Sequence, residues 1–144
     1  PVVDVKKNAA AYDAVSYAIQ GSEHSNILKN VGMSGIVASA IGIGRGGLAV
    51  ALAKSSVAGQ LGANVDLSDI PGGARTPDAK LFSESQGRFT ISVRKGNEKK
   101  FEAMLKKVPF ARIGEVGGNS FRTESFDIPL TQLTESYRSF FKQW

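Results

Sequence analysis

An apolar, β-branched run that ends in a cluster of glycines most constrains the fold of this chain. Residues 35–41 have the sequence Gly-Ile-Val-Ala-Ser-Ala-Ile, and residues 42–47 have the sequence Gly-Ile-Gly-Arg-Gly-Gly. An alanine-rich segment follows from Leu48 to about Ala58. This pattern predicts a buried strand, a glycine turn and a helix, in that order. A helix that starts in this way presents backbone N–H groups to which an anion can bind.

Helices and strands are predicted along the rest of the chain without strict alternation. Asp4 is expected to cap a helix that reaches about Gln20, and apolar residues recur on its predicted buried face: Val5, Ala9, Tyr12, Val15 and Ile19. A connection is predicted over 22–34, a strand over 63–67, and a loop over 68–79 that ends at an anchor, Leu81-Phe82. A strand over 89–93 and a helix capped by Asn97 follow, and then a hairpin of 111–116 and 120–122 around Gly117-Gly118. The last predicted helix starts at 127–129 and carries the aromatic residues Tyr137, Phe140, Phe141 and Trp144. Such an order favours an α+β fold, a mixed sheet with packed helices.

Composition narrows the classes of function. The 144 residues are 42% hydrophobic and 22% charged, which is typical of one globular domain over 1–144. Cysteine is absent and His24 is the single histidine, so disulfides and a thiolate zinc site are excluded, and a histidine-based metal cage or catalytic triad is disfavoured. Because no apolar run reaches membrane-spanning length, we expect no membrane partner, and the absence of cysteine favours a cytoplasmic location. The first residue is Pro1, from which we expect a fragment of a longer chain.

The net charge of +5 raises the question of a nucleic-acid partner. The cations are scattered, however, and the densest groups are Lys99-Lys100 and Lys106-Lys107. Their spacing is typical of the solvated side of a helix. We therefore expect no nucleic acid among the partners.

The glycine-rich turn is the first candidate binding site, through Gly44, Arg45, Gly46 and Gly47. Glycines let a ligand approach the backbone, and a guanidinium at a helix N-terminus favours phosphate. The turn lacks the Gly-Lys-Ser/Thr of a Walker loop, and its Gly-x-Gly-x-x-Gly spacing is a weak dinucleotide signal. The alternative is a tight strand-to-helix turn that needs small residues.

The polar stretch over 83–88 is the second candidate site. Glu84 can accept hydrogen bonds or hold a sugar hydroxyl, Gln86 can donate and accept, and Arg88 can bind phosphate or pair with Glu84. Ser85 lies between them. The alternative is a loop held by a structural salt bridge. Neither candidate contains a residue that we assign as catalytic or metal-binding.

Three segments resemble the C-terminal domain of the aminoimidazole ribonucleotide (AIR) synthetase superfamily: residues 46–53 (GGLAVALA), 81–89 (LFSESQGRF) and 113–116 (IGEV). Within the superfamily, the Glu-Ser-Gln string is most similar to the formylglycinamidine ribonucleotide (FGAM) synthase family. Residues 128–133 and the terminal aromatic helix resemble the end of that family's large subunit.

This resemblance implies a context for the chain. Members pair an N-terminal domain, which dimerises and binds ATP, with a C-terminal α+β domain, and large FGAM synthases contain the pair twice. The chain is similar to the second C-terminal domain. The implied enzyme is an ATP-dependent amidotransferase that converts formylglycinamide ribonucleotide, ATP and glutamine-derived ammonia to FGAM, ADP and phosphate in purine biosynthesis. ATP and Mg are implied for the whole enzyme and none for this domain alone. The implied partners are the remaining domains of its own chain, a glutaminase subunit and a small accessory subunit.

The resemblance carries over to particular residues only in part. Glu84, Ser85 and Gln86 match the letters of a loop that contacts the ribonucleotide in the family's first domain pair. In the second pair, this loop would line an auxiliary nucleotide site without turnover. The family often has His-Asp-x-Ser-Asp-Gly-Gly-Leu where this chain has Ile-Gly-Ile-Gly-Arg-Gly-Gly-Leu over 41–48, so the histidine and both carboxylates are missing.

Other interpretations remain open from the sequence. The chain could be a nucleotide-binding or scaffolding module with no activity of its own. It could also belong to another ATP-dependent member of the superfamily, such as a selenophosphate or thiamine-phosphate enzyme, although the Glu-Ser-Gln string argues against that.

Overall fold

The computed structural model of the chain describes residues 4–20, 36–105 and 108–139, and within these ranges it contains five helices and six strands. In chain order they are α1 (Val5–Gln20), β1 (Val37–Gly42), α2 (Gly47–Gly59), β2 (Ala63–Val65), α3 (Pro77–Phe82), β3 (Phe89–Val93), α4 (Glu98–Met104), β4 (Gly114–Val116), β5 (Ser120–Arg122), β6 (Asp127–Pro129) and α5 (Leu130–Ser139). The predicted connection over 22–34 with His24, the pair at 106–107 and the aromatic residues at 140, 141 and 144 lie outside the described residues.

The chain divides into two compact units. Unit 1 comprises residues 1–43 and 85–110, and unit 2 comprises residues 44–84 and 111–144. The mixture of helices and strands confirms the predicted α+β class. The expectation of one domain over 1–144 stays a prediction.

Unit 1 is built on the antiparallel pair β1–β3 with the helices α1 and α4. The predicted cap of α1 is confirmed, because the amide of Lys7 donates to Oδ1 of Asp4 at 3.1 Å. Asn97 does precede α4, but its side chain makes no capping hydrogen bond. Residues from all four elements or their ends form the core of this unit: Ala18, Ile36, Val37, Phe101 and Leu105, with Ile91 and Val93 packed against them.

The buried face of α1 differs from the predicted one. Ala11, Val15 and Ala18 are buried, whereas Val5 and Tyr12, both predicted on the buried face, are 73% and 54% exposed. Val15 is buried as predicted and Ile19 packs against the core, whereas Ala9 is exposed, so α1 buries Ala11 and Ala18 in preference to Val5 and Tyr12. Hydrophobicity alone does not reveal that preference.

Unit 2 contains a four-stranded sheet in the order β4-β2-β5-β6. Strand β2 runs antiparallel to β4 and parallel to β5, and β5 pairs antiparallel with β6. Helix α2 lies against both α3 and α5. The largest fully buried side chains of unit 2 are Leu67, Leu81 and Phe121.

The predicted hairpin around Gly117-Gly118 is wrong, because β2 lies between β4 and β5. Both glycines instead make backbone hydrogen bonds with Gly62. The amide of Gly62 donates to the carbonyl of Gly118, and the amide of Gly117 donates to the carbonyl of Gly62, each at 2.9 Å. A Cβ at Gly62 would lie 2.2 Å from the carbonyl oxygen of Ser120, so the approach requires glycine at that position.

Two further boundaries differ from the prediction. Pro129 does not start the last helix but ends β6, an edge strand, where a residue without an N–H is tolerated. The predicted loop over 68–79 contains the beginning of α3, whose cap is Thr76: its Oγ1 accepts from the amide of Ala79 at 3.3 Å. Leu81 is buried as expected, but Phe82 is exposed. Tyr137 is likewise exposed rather than docked on the core.

Candidate functional site

The glycine loop, residues 44–47, connects unit 1 to α2 and belongs to unit 2. The amide of Gly47 donates to the carbonyl of Gly44 at 2.9 Å, which closes a tight turn. Gly46 and Gly47 have φ angles of +83° and +67°, in the left-handed region that favours glycine. The backbone of this turn therefore depends on glycine at two consecutive positions.

Close packing gives Gly47 a second reason to be glycine. A Cβ at this position would lie 2.4 Å from the carbonyl oxygen of Leu81 and 2.7 Å from the carbonyl carbon of Phe82. The start of α2 thus rests directly on the backbone at the end of α3. These contacts support the structural interpretation of the Gly46-Gly47 pair, which is needed whether or not a ligand binds.

The carboxylate of Glu84 is bonded to the same loop. Its Oε1 accepts a hydrogen bond from the amide of Gly46 at 2.7 Å. Gly46 is the N-cap residue of α2, and the N-terminus of a helix carries a partial positive charge. Glu84 is therefore an anion from within the chain at the place where the sequence predicts an external anion.

Arg45 is the exposed cation of the glycine loop. Within residues 4–20, 36–105 and 108–139, its guanidinium has no hydrogen bond or ion pair. The next two residues of the helix, Leu48 and Ala49, are buried. Of the groups at the start of α2, the side chain of Arg45 is consequently the one most accessible to a phosphate.

The polar loop, residues 85–88, belongs to unit 1 and leads into β3. Nε of Arg88 donates to the carbonyl of Ser85 at 3.4 Å, and the carbonyl of Arg88 accepts from the amide of Ile43 at 2.8 Å. Gly87 has a φ of +74°, and a Cβ there would lie 2.2 Å from Oδ1 of Asn8 on α1. Burial lowers the pKa of the half-buried Arg88, which nevertheless stays a cation because a guanidinium is not deprotonated in proteins.

Ser85 and Gln86 are the exposed side chains of the polar loop. In the described part of the chain, neither side chain makes a hydrogen bond. Their hydroxyl and amide groups are therefore available to a ligand without breaking a contact of the fold.

The structure joins the eight predicted site residues into two groups. Gly44, Gly46, Gly47 and Glu84 are linked by hydrogen bonds in unit 2, and Ser85 and Arg88 are linked in unit 1. Arg45 and Gln86 are exposed within these two groups.

Lys80, on α3, was not among the residues predicted from the sequence to make a specific contact. Lys80 donates from Nζ to the carbonyls of Leu67 and Ser68 at 2.6 and 3.0 Å. Beside them, hydrogen bonds from Ser68, and then the charge of Lys80, lower the pKa of Asp66. The signal was present, since Thr76-Pro77-Asp78 is a typical helix start and would have placed Lys80 on a helix.

Two negative findings concern the described ranges alone. Within 4–20, 36–105 and 108–139, no three histidine, cysteine or carboxylate side chains come together in a way that could hold a metal ion. In the same ranges, every helix is too short or too polar to cross a membrane.

Comparison with known families identifies the class of this domain. Residues 23–123 match the family described as AIR synthase related protein, C-terminal domain. The chain therefore belongs to this family, as its resemblance predicts.

Individual relatives of the chain are named as subunits of phosphoribosylformylglycinamidine synthase. The chain is 36% identical over 123 residues to the phosphoribosylformylglycinamidine synthase subunit PurL of Methanocaldococcus jannaschii, which covers 85% of this chain and 15% of the relative. It is 31% identical over 137 residues to PurL of Methanothermobacter thermautotrophicus, covering 95% of this chain and 17% of the relative. The chain thus spans about one sixth of the length of these relatives.

Solved structures agree on the fold. Thermotoga maritima PurL complexed with FGAR superposes with a TM-score of 0.70 at 21% identity, covering 92% of this chain and 22% of that chain. The structure of PurLQS from the same organism gives 0.70 at 20% identity, covering 93% and 22%. At this identity the likeness establishes the fold alone.

Proposed function

We propose that the chain is a C-terminal domain of the large subunit of FGAM synthase, the ATP-dependent enzyme that makes FGAM, ADP and phosphate from formylglycinamide ribonucleotide, ATP and glutamine-derived ammonia. The observation that carries this proposal is the 36% identity to a phosphoribosylformylglycinamidine synthase subunit over 85% of the chain. The Glu-Ser-Gln string at 84–86, which lies within the family match, supports it.

In this proposal the domain contributes binding surface and leaves the chemistry to its neighbours. The glycine loop lacks the histidine and carboxylates that the family often has there, and the described residues offer no metal cluster. We propose that the ATP and Mg of the whole enzyme are bound by its other domains. ATP turnover belongs to the remaining domains of the longer protein, and ammonia to a glutaminase subunit with a small accessory subunit. We also propose a cytoplasmic location for this enzyme.

The ligand contacts that we propose are made by the side chains that the fold leaves unused. Arg45 can form a charge-assisted pair with a phosphate of a nucleotide. Ser85 and Gln86 can hydrogen-bond to the hydroxyl or amide groups of a ribonucleotide. Gly44, Gly46 and Gly47 act through the backbone shape of the loop, and Arg88 contributes charge within unit 1.

An assay of ADP release tests the proposal. The longer protein that carries this domain is expected to release ADP only when formylglycinamide ribonucleotide and ammonia are both present. The 144-residue chain alone, as the matched sample, is expected to release none. ADP release by the isolated chain, or none by the longer protein, would contradict the proposal.

One observation favours a second candidate, a nucleotide-binding module without turnover. Residues 41–48 lack the histidine and both carboxylates that the family often has there, so they offer a phosphate a contact through Arg45 but no acid or base for turnover. A module of this kind would bind ADP in the longer protein, yet Arg45→Glu would leave the rate of ADP release unchanged. An FGAM synthase domain that positions substrate would lose rate as well.

A further inference from the structure

The contact between Glu84 and the glycine loop is not implied by the family resemblance. Glu84 and Gly46 are 38 positions apart in the sequence, and the carboxylate reaches the amide at 2.7 Å. The resemblance assigns this carboxylate to a ligand. In the structure it contacts backbone instead, within the same unit.

The glycine loop needs such a contact because its backbone has little preference of its own. Glycine adopts positive and negative φ about equally readily, and Gly46 and Gly47 both have positive φ. Helix α3 fixes the position of Gly47 through the close approach of Leu81 and Phe82. The amide of Gly46 belongs to the peptide that connects it to Arg45, so the hydrogen bond that it donates to Glu84 fixes the orientation of that peptide.

We infer that Glu84 is a positioning residue: by accepting the hydrogen bond of the Gly46 amide, it holds the glycine loop in the conformation that starts α2 and so determines where Arg45 can meet a phosphate. The second half of this statement rests on the proposed function. The first half does not, because it concerns a contact within the chain.

The contact requires an acceptor at the end of a side chain of this length. Glutamine keeps the oxygen and the reach, whereas alanine removes both. A carboxylate that touched an anionic ligand would behave in the opposite way, since its neutralisation would relieve repulsion and strengthen binding. Glu84→Gln and Glu84→Ala therefore separate the two roles.

The first test measures amide hydrogen exchange at Gly46 by NMR in the 144-residue chain. Loss of a capping contact at a helix start corresponds to a factor of roughly five to thirty, so Glu84→Ala should speed this exchange by about that factor. Glu84→Gln should keep the exchange rate and the Gly46 chemical shift close to those of the unsubstituted chain. Glu124→Ala removes an exposed carboxylate from the same unit and serves as the control.

Unchanged exchange in Glu84→Ala, or equal acceleration in Glu84→Gln and Glu84→Ala, would overturn the inference. If Glu84→Ala does not fold, the Gly46 chemical shift in Glu84→Gln decides: a shift that is retained supports the inference, and one that moves to a random-coil value overturns it.

The second test titrates ADP into the longer protein. Glu84→Ala should weaken binding about as much as Arg45→Ala does, while Glu84→Gln should restore it. If neither the unsubstituted protein nor any variant binds ADP, the proposed function fails and the exchange measurement still decides whether Glu84 positions Gly46. Tighter binding in both Glu84 variants would overturn the positioning role, because the carboxylate would then compete with the ligand.

Discussion

The glycine loop and the polar loop are both candidate ligand sites, but different kinds of contact hold them. The glycine loop is held by groups distant in sequence: the carboxylate of Glu84 and the backbone of Leu81 and Phe82. The polar loop is held by the Arg88 side chain, whose Nε donates to the carbonyl of Ser85, by the backbone bond from Ile43 to Arg88, and by the proximity of Asn8 to Gly87, while the side chains of Ser85 and Gln86 take no part among the described residues.

This difference changes how the residues of each loop are interpreted. In the glycine loop, most of the conspicuous residues have a structural reason to be there, and Arg45 is the side chain left over. In the polar loop, Ser85 and Gln86 have no such reason in the described part of the chain. A motif letter is therefore stronger support for ligand binding when the fold does not already explain it.

The largest expected effect comes from Gly47. Alanine there would meet the carbonyl of Leu81 at 2.4 Å and would have to adopt a φ of +67°, so we expect Gly47→Ala to lower the free energy of unfolding by about 2–4 kcal/mol. Gly44→Ala is the control, because nothing lies within 4 Å of its Cβ, and it should change stability by less than about 1 kcal/mol. Urea unfolding measures both. Equal losses would mean that α2 and α3 are not in rigid contact, and that the glycine loop is not held by the backbone of Leu81 and Phe82.

The next effect concerns binding through Arg45. Loss of a charged hydrogen bond to phosphate is worth about 2 kcal/mol, so Arg45→Glu in the longer protein should weaken ADP binding by about tenfold or more. Lys54→Glu changes the net charge equally, and Lys54 lies on α2 about two turns from its start, so this substitution should weaken binding by about twofold at most. Isothermal titration at fixed salt measures both. Equal losses would indicate that binding follows overall charge and that the glycine loop is only a turn.

A smaller effect is expected in the polar loop. Gly87→Ala also forces a positive φ, of +74°, but the atom that its Cβ meets is the end of the Asn8 side chain, which can rotate away. The cost should therefore be the backbone strain of about 1–2 kcal/mol, smaller than at Gly47. Unfolding of Gly87→Ala with and without Asn8→Ala separates the two terms. If Asn8→Ala rescues most of the loss, the contact with α1 is rigid, and the polar loop resembles the glycine loop more than we propose.

Local signals predicted the elements whose type or start is determined by neighbouring residues in the sequence. The cap at Asp4 fixed the start of α1, the alternation over 89–93 indicated β3, and the glycine cluster marked the start of α2. The prediction failed where a distant segment decides. Gly117-Gly118 has the composition of a hairpin turn, yet β2, about fifty residues earlier, inserts between the two strands.

The same distinction between local patterns and distant contacts applies to the candidate site. The sequence predicted eight candidate residues, whose contacts with a ligand stay a prediction, but it did not predict the bond between Gly46 and Glu84, which joins positions 38 apart. No periodicity or spacing encodes such a contact. The start of α3, in contrast, was missed although its signal is local, because the prolines and glycines of 68–79 favoured a loop over the Thr76-Pro77-Asp78 helix start.

The smallest expected effect is that of a short-range charge contact at the surface. Hydrogen bonds from Ser120, and then from Arg122, lower the pKa of Asp127, whose Oδ2 accepts from Nε and Nη2 of Arg122 at 2.8 and 2.6 Å. Because the folded pKa lies below the ordinary value of 3.8, the stabilisation is fully present above about pH 4 and is lost as the pH falls through the folded pKa. Asp127→Asn should therefore be slightly less stable than the unsubstituted chain from pH 5 to 8, with the difference disappearing at lower pH. Thermal unfolding between pH 2.5 and 8 measures this, and Ser120→Ala, which removes the largest cause of the shift, should move the loss to higher pH. A difference that persisted at the lowest pH would show that Asp127 stabilises the β5–β6 pair by packing rather than by charge.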